Sequence, residues 1–195
     1  MWHYARLVAR HAWLGVALAA LGLALVGCGE PTVVVSAPTA TVPAPTATAV
    51  PPTAATSYPV KVFFSRHPET DSNVSAVFPV SRISPTLGVG TYAIQQLIAG
   101  PTAAEAASGY FTELTAALSG ASNCGGPDFT YAISGNVGTL TFCKQTQLAG
   151  DLVGARIQAE IVATLTQFGN VTKVIILNSG GHCFNDLSGA DMCLH

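Results

Sequence analysis

The sequence predicts an α+β fold, with a single sheet of about five strands and two main helices packed on one face. Short runs rich in β-branched and aromatic residues at 60–65, 76–83 and 129–143 are bounded by glycine, proline and polar residues, as strands are. Two longer stretches, 90–99 and 151–168, carry apolar residues at helical spacing. Helices alternating with antiparallel strands in this way favour a layer of helices on one side of a sheet.

The first two strands are predicted over Val60–Ser65 and Ala76–Ile83, with a polar loop over His67–Asn73 between them. Pro79 lies inside the second run and cannot donate a hydrogen bond to a neighbouring strand. We therefore expect the second strand at an edge or at a bulge.

The first main helix is predicted over Gly90–Ala99 and ends at Gly100–Pro101, because glycine accepts a left-handed cap and proline cannot continue a helix. Thr102 and Glu105 then have the spacing of a capping box, which predicts a short helical turn. The segment Phe111–Leu118 fits either a further helical turn or a strand.

The second half begins with a predicted hairpin, in which Phe129–Ile133 and Val137–Cys143 are joined across a central glycine. Asp151–Phe168 has the clearest helical pattern, and Arg156 with Glu160 is expected to form an i,i+4 pair on its polar side. The last strand, 171–177, is nearly all apolar, which predicts a central place in the sheet.

The N-terminal 57 residues differ from this domain and predict an export and anchoring segment. Arg6 and Arg10 precede an unbroken apolar run over 12–26, which is too short for a comfortable membrane-spanning helix and has the flanks of a signal peptide. The run ends in Leu-Val-Gly before Cys28, which resembles the lipobox of bacterial lipoproteins. We expect cleavage before Cys28 and acylation of its sulfur; a plain signal peptide or an uncleaved anchor is the alternative.

Three regions follow from this interpretation: a signal peptide over 1–27, lipidated Cys28 with a linker to residue 57, and a domain over 58–195. The linker carries six prolines and seven threonines between residues 30 and 57, a composition that favours extended polyproline II and a spacer role. The expected location is the cell membrane, with the domain on the extracytoplasmic side, held by membrane lipid.

Charge is sparse, since charged residues make up 9% of the chain and the formal net charge is −2. Basic residues do not cluster, so the sequence indicates no nucleic-acid partner. Beyond the apolar run at the N-terminus, no other apolar run in the sequence approaches the length of a membrane-spanning helix.

The domain resembles the GerMN domain of sporulation and spore-germination proteins over roughly residues 58–181. The stretches that carry the resemblance are Val60-Lys-Val-Phe-Phe64, Pro79-Val-Ser-Arg82, Ala93 to Thr102 with Glu105 and Gly109, Gln158 to Leu165, and Val171 to Ile175. Family members often have a proline where this chain has Glu113-Leu114, and an aspartate in the strand that here contains Leu140-Thr-Phe142. The four cysteines of the domain and the tail after Gly181 are additions.

The resemblance implies a protein-interaction role outside the membrane and no catalysis. Similar domains occur on membrane-anchored envelope proteins, and they resemble the small ring-building modules of secretion systems. The partner is therefore expected to be an unidentified envelope protein or a second copy of the chain. A lipoprotein that binds a small molecule or a cell-wall glycan is the alternative, and a wall hydrolase is a third possibility.

Four cysteines remain in the domain, and an even number in an exported protein favours disulfides. The antiparallel hairpin brings Cys124 and Cys143 near each other, so we expect that pair and, with it, Cys183–Cys193. Free thiols are the alternative.

A zinc site is the other interpretation of the C-terminal tail, which contains two cysteines, two histidines and Asp186. Neither the spacing of His182, Cys183, Cys193 and His195 nor the oxidising compartment favours zinc. No metal and no cofactor are expected.

Catalytic patterns are missing from the sequence, which contains no Gly-x-Ser-x-Gly elbow and no phosphate-binding glycine loop. His67, in a polar loop with Glu69 and Asp71, is interpreted as a solvated loop residue. The candidate interaction residues are Arg82 after the second strand, as a partner contact or a structural ion pair, and the loop residues Gly180, Gly181 and His182. Glycines in such a loop free backbone N–H groups for a ligand.

Overall fold

The computed structural model describes residues 56–195. The predicted signal peptide, Cys28 and nearly all of the linker lie outside the described residues. The strands are β1 Tyr58–Arg66, β2 Phe78–Ser84, β3 Tyr110–Phe111, β4 Leu118–Ser119, β5 Phe129–Ser134, β6 Val137–Phe142, β7 Gln145–Thr146 and β8 Lys173–Leu177. The helices are α1 Glu69–Ser72, α2 Val89–Ala99, α3 Ala103–Ala107, α4 Leu114–Ala117 and α5 Asp151–Thr166, followed by a 3-10 turn at Met192–Leu194.

The α+β class is confirmed, but the expectation of a single sheet of about five strands is wrong. The strands form three sheets, with the orders β2-β1-β3, β4-β7 and β5-β6-β8. Strand β1 pairs along its length with β2 and, for two residues only, with β3. The two larger sheets are connected through helices, because α2 packs against both β1 and β5, and α5 packs against both β1 and β8.

The core lies where these two helices meet the sheets. Its fully buried side chains come from β1, α2, α4, β6 and α5, and they include Val62, Phe64, Ile94, Leu97, Leu114, Leu140, Phe142, Ile157, Ile161 and Leu165. Burying a side chain of this size contributes about 1.5–3 kcal/mol against an extended unfolded chain. The apolar faces predicted for both main helices are therefore the faces that pack.

Two segments hold more regular structure than the sequence predicts. The polar loop over His67–Asn73 contains the single helical turn α1. The segment Phe111–Leu118, which fitted a turn or a strand, contains the end of β3, the turn α4 and the start of β4. Thr102 and Glu105 form the predicted capping box at the start of α3.

The last strand, β8, is an edge strand and not the central strand that its apolar composition predicts. It pairs in parallel with β6, which is the central strand of that sheet. The reason lies in the tail: the N–H of Phe184 donates to the carbonyl oxygen of Ile176 at 2.8 Å, and Leu177 forms an isolated bridge with Cys183. The C-terminal segment thus covers the outer edge of β8, and an apolar strand there is protected.

Within residues 56–195, none of the helices combines the length and the apolar content that crossing a bilayer requires.

Candidate interaction surface

Arg82, a candidate partner contact, is engaged inside the domain. Its guanidinium donates to both carboxylate oxygens of Glu105 at 2.7 Å, and the two side chains are only 13% and 19% exposed. Glu105 also accepts a hydrogen bond from the backbone N–H of Thr102, so the pair fastens β2 to the start of α3. The Arg82 guanidinium holds the pKa of Glu105 at about 2. Arg82 therefore has a structural partner already in place.

The loop Ser179–His182 also satisfies its own backbone groups. The N–H groups of Gly180 and His182 both donate to the side-chain oxygen of Asn178, and the N–H of Gly181 donates to the Asn178 carbonyl. A loop that binds an anion through free N–H groups would leave these donors open. The geometry does not bring Gly180 and Gly181 into a ligand-binding nest.

His182 itself faces the tail. Its Nδ1 lies 2.8 Å from a carboxylate oxygen of Asp191, and this contact raises the pKa of the exposed imidazole. The other Asp191 oxygen accepts the N–H of Cys183 at 2.7 Å. His182 and Asp191 therefore close the C-terminal loop.

The four domain cysteines form two disulfides, Cys124–Cys143 and Cys183–Cys193, the pairs expected from the sequence. The two crosslinked regions touch each other, since the side-chain amide of Asn123 donates to the Ser179 carbonyl at 2.8 Å. Both disulfides thus fix loops at the same end of the sheet β5-β6-β8.

The zinc alternative has no thiolates available, because Cys183 and Cys193 are bonded to each other. Ligand atoms of Cys183, Asp186 and Asp191 lie within 4.8 Å of one another. Both carboxylates, however, accept hydrogen bonds from the loop, including the N–H of Ser188 and the N–H of Asp191 on Asp186. The cluster is explained as a network that orders the tail.

His67 pairs with Asp71 at 2.7 Å through Nδ1 and stacks on the ring of Phe111, with ring centroids 4.3 Å apart. The histidine ring is 58% exposed in this arrangement. Through these contacts His67 connects Asp71 of α1 to Phe111 of β3, so His67 and Asp71 both have a structural role.

A buried acid, Glu160, was missed as a special position by sequence reasoning. The pair that its spacing predicts with Arg156 does not form. Arg156 instead makes a bidentate pair with Glu113 at 2.6 and 2.7 Å, whereas Glu160 is 1% exposed. Its carboxylate accepts the N–H of Ser65 at 2.9 Å and the hydroxyl of Thr112 at 2.6 Å. Burial raises the pKa of Glu160 to about 7.

The position of Glu160 along α5 was the feature of the sequence that could have revealed its burial. Glu160 follows Ile157 by three residues and precedes Thr164 by four, so it shares the apolar face of α5. An acid on that face connects the helix to β1 and to the segment before α4, because its oxygens bond to both.

Two neighbouring cavities lie between α2 and β5 and form a groove whose lining is not committed to other contacts. The first has a volume of about 360 Å³ and is lined by Leu87, Gly88, Val89, Gly90, Thr91, Tyr131, Ile133, Phe168 and Asn170. The second has a volume of about 460 Å³ and is lined by Thr91, Gln95, Ile98, Ala99, Gly126, Pro127, Asp128 and Phe129. We call this surface the α2–β5 groove. Thr91 belongs to both cavities, and together their linings include residues from the first turn of α2 to its last.

The groove is almost without charge. All residues of the first cavity are uncharged, and Asp128 in the second is paired with Lys144 at 2.7 Å. Leu87 and Ile133 at its open end are 79% and 43% exposed. Large apolar side chains exposed side by side are typical of interaction surfaces.

Close packing of α2 on Tyr131 shapes the floor of the groove. A Cβ atom on Gly90 would lie 2.7 Å from a ring carbon of Tyr131, and one on Gly138 would lie 2.8 Å from its hydroxyl. The two glycines therefore form a slot for the ring. The Tyr131 hydroxyl is buried and has no hydrogen-bond partner among the described residues, and burial raises its pKa.

Fold and surface together define a small α+β domain, crosslinked by two disulfides, with a groove that is open to solvent and carries almost no charge. The chain belongs to the Germane family, described as sporulation and spore germination, whose model matches residues 61–182. The domain is therefore of the GerMN type, as the sequence resemblance indicated, and it is a sporulation-related domain.

Among solved structures, the chain is similar to the tandem GerMN domains of the sporulation protein GerM from Bacillus subtilis, with 20% identity and a TM-score of 0.44. That match covers 69% of this chain and 43% of the GerM structure, so the chain spans less than half of its length. A protein from Clostridium perfringens described as a candidate lipoprotein matches with 16% identity and a TM-score of 0.31, over 65% of this chain and 77% of that one. A comparison with curated proteins found no sequence match.

Proposed function

We propose that this protein is a lipoprotein of the bacterial cell envelope whose GerMN-type domain is a non-catalytic protein-interaction or assembly module. In this proposal acylated Cys28 anchors the chain at the extracytoplasmic face of the membrane. The linker to residue 57 holds the domain away from the lipid surface, and the partner is another envelope protein or a second copy.

The α2–β5 groove is the observation that carries the interaction role. Leu87 and Ile133 expose apolar surface at its open end, and its lining has no unpaired charge. Burying such a surface against a partner gains about 25 cal/mol for each Å² of apolar area removed from water. The candidate chemical groups elsewhere, by contrast, already bond to one another: Arg82 to Glu105, and His182 to Asp191.

The anchoring proposal is supported by the lipobox resemblance at Cys28 and by the two disulfides, which fit an oxidising compartment outside the cytoplasm. Two or three acyl chains hold a protein stably on a membrane, where one chain is marginal. Intact-mass measurement of the natural protein from membranes tests this directly. We expect a chain that begins at Cys28 and carries fatty-acid mass, and we expect Cys28→Ala to lose both the mass and the membrane fraction. A natural protein that begins at Met1 without lipid contradicts the anchor.

Site-specific photo-crosslinking in native membranes tests the interaction role. A photoreactive phenylalanine analogue replaces Leu87 in one variant and Leu152 in a matched control, since Leu152 is 62% exposed on α5 and lies outside the groove. We expect one discrete crosslinked protein from position 87 and no such product from position 152. Equal products at both positions, or none at position 87, contradict an interaction through the groove.

A further inference from the structure

Building on the proposed interaction role, we propose that the free edge of β5 accepts an extended, uncharged segment of a partner protein as an additional strand. The segment lies in the α2–β5 groove, pairs its backbone with β5 and places alternate apolar side chains in the cavity beside Leu87. Strand addition of this kind takes its affinity from backbone hydrogen bonds and its specificity from pockets for alternate side chains.

The register of the hairpin shows which backbone groups of β5 point outward. The N–H of Cys143 donates to the carbonyl of Asp128 at 2.8 Å, so residue 128 is hydrogen-bonded to the neighbouring strand. Hydrogen-bonded and non-bonded pairs alternate in an antiparallel ladder, and β5 pairs residue by residue with β6 from Phe129 to Ser134. The N–H and C=O groups of Phe129, Tyr131 and Ile133 therefore face away from β6.

No strand pairs with that outer edge in the part of the chain from 56 to 195. Residues at 130 and 132–134 are exposed, and Tyr131 is half-buried. Phe129 is buried, so Tyr131 and Ile133 are the outward-facing residues that present main-chain donors and acceptors along the groove.

The other long edges of the two larger sheets are protected, and β5 is the exception among the described strands. Strand β2 carries Pro79 in its interior, and β8 is covered by the segment that contains Cys183 and Phe184. Proteins commonly block edges with proline, lysine or a covering segment. Strand β5 has the sequence Phe-Thr-Tyr-Ala-Ile-Ser, without proline or charge.

The far wall of the groove limits what fits. The first cavity contacts β5 at Tyr131 and Ile133 and α2 near its N-terminus, whereas the second contacts Phe129 and the last turns of α2. Helix α2 therefore runs beside the strand on one side of this edge. A single extended segment brings no helix with it, whereas the β5 strand of a second copy would bring its own α2 helix to the same place. The lining also sets the chemistry, because a charged side chain in the first cavity would meet no opposite charge.

Selection from a phage-displayed library of random eight-residue peptides, with the full chain purified in detergent as target, tests the proposal. Each selected peptide is synthesised with blocked ends, and the exchange rates of single amides are measured by NMR with and without peptide. We expect uncharged peptides with alternate apolar residues, and slower exchange at the amides of Tyr131 and Ile133. Selected peptides that are charged, that protect other amides, or that never protect β5 overturn the proposal.

Two substitutions sharpen the test. Ile133→Pro removes one outward N–H from an edge strand, and Ile133→Lys places a charge at the open end; each is expected to weaken peptide binding at least tenfold. The matched control is Ile83→Lys, at an isoleucine that is 57% exposed on another edge strand, β2, and it is expected to leave affinity unchanged. Thermal unfolding by circular dichroism verifies that all three variants fold. Wild-type affinity in folded Ile133→Pro and Ile133→Lys variants contradicts strand addition.

The outcomes separate this proposal from the function on which it rests. Crosslinking from position 87 without protection of β5 amides leaves an interaction module that does not use strand addition. A dimer that protects the same amides without peptide, detected by analytical ultracentrifugation, assigns the edge to a second copy and overturns a peptide partner. Loss of both crosslinking and protection removes the interaction role itself.

Discussion

The carboxylate of Glu160 accepts a 2.6 Å hydrogen bond from the hydroxyl of Thr112, at a position of α5 that is 1% exposed. The second oxygen of the carboxylate accepts the N–H of Ser65 in β1. Desolvation outweighs these bonds and raises the pKa of Glu160 from 4.5 to about 7. One buried acid therefore couples the packing of three segments to protonation near neutral pH.

Glu160→Gln is expected to remove a pH dependence of stability. Between pH 4.5 and 7 the folded chain binds more protons at this position than the unfolded chain, so the free energy of unfolding decreases as pH rises. The contribution is complete below pH 4.5 and lost above pH 7, with a size on the order of 3 kcal/mol. Urea unfolding at pH 4.5, 6 and 8 measures it, and the variant should gain relative to wild type as pH rises.

Glu69→Gln is the control for this measurement. The pKa of Glu69 is lowered by its contact with Arg66, so this exposed acid affects only the acidic range. Between pH 4.5 and 8 we expect the free energy of unfolding of Glu69→Gln to change with pH as it does in the wild type. If Glu160→Gln also leaves this pH dependence of the free energy of unfolding unchanged, the carboxylate of Glu160 does not titrate near neutral pH.

The surroundings of Glu160 could not be predicted from the sequence, although the helix that carries it could. The pattern of α5 predicts a helix, and it is confirmed over Asp151–Thr166. The pattern does not reveal that Arg156 would find Glu113, 43 residues away in sequence, which leaves Glu160 to face the core. An i,i+4 spacing makes a pair feasible, but tertiary contacts decide whether the pair forms.

The arrangement of the strands into sheets is a second feature that the sequence did not predict. Local signals predicted most elements, including the hairpin and the capping box at Thr102. How strands group into sheets depends on contacts between distant segments, so the expectation of one sheet was wrong. The groove was likewise missed, although β5 without proline or charge was visible in the sequence as an unprotected strand.

Arg82→Met is expected to lower the free energy of unfolding by about 1–2 kcal/mol, because it leaves the carboxylate of Glu105 without its bidentate partner. The lowered pKa of Glu105 adds stability that is present above pH 4.5 and lost as pH falls towards 2. In the Arg82→Met variant the free energy of unfolding should therefore fall less steeply between pH 4.5 and 2 than in the wild type.

Lys144→Met provides the comparison for an exposed pair. Lys144 and Asp128 lie 2.7 Å apart, but their side chains are 30% and 36% exposed. Exposed pairs contribute less than about 1 kcal/mol. A loss of stability in Lys144→Met as large as that in Arg82→Met would contradict a special role for the mostly buried pair of Arg82 and Glu105.

Removal of either disulfide is expected to destabilise the domain. The bonds close loops with sequence separations of 19 and 10 residues, and the entropy of loop closure gives roughly 3 kcal/mol for each. Thermal unfolding of Cys124→Ser/Cys143→Ser and Cys183→Ser/Cys193→Ser, with and without reductant, measures the two contributions. Each double variant should keep a response to reductant from its remaining bond. A variant that loses no stability would show that its loop is held by other contacts.

Gly90→Ala tests the packing that forms the floor of the groove. The added Cβ atom would lie 2.7 Å from a ring carbon of Tyr131, which is closer than two carbon atoms can approach, so the helix or the ring must shift. Overpacking of this kind costs about 1–3 kcal/mol, and the better helix propensity of alanine offsets up to about 1 kcal/mol. We expect a net loss of about 1–2 kcal/mol by urea unfolding. Gly169→Ala is the matched control, since no atom lies within 4 Å of the added carbon, and it should be neutral. A Gly90→Ala variant as stable as this control would mean that α2 and β5 are not in close contact.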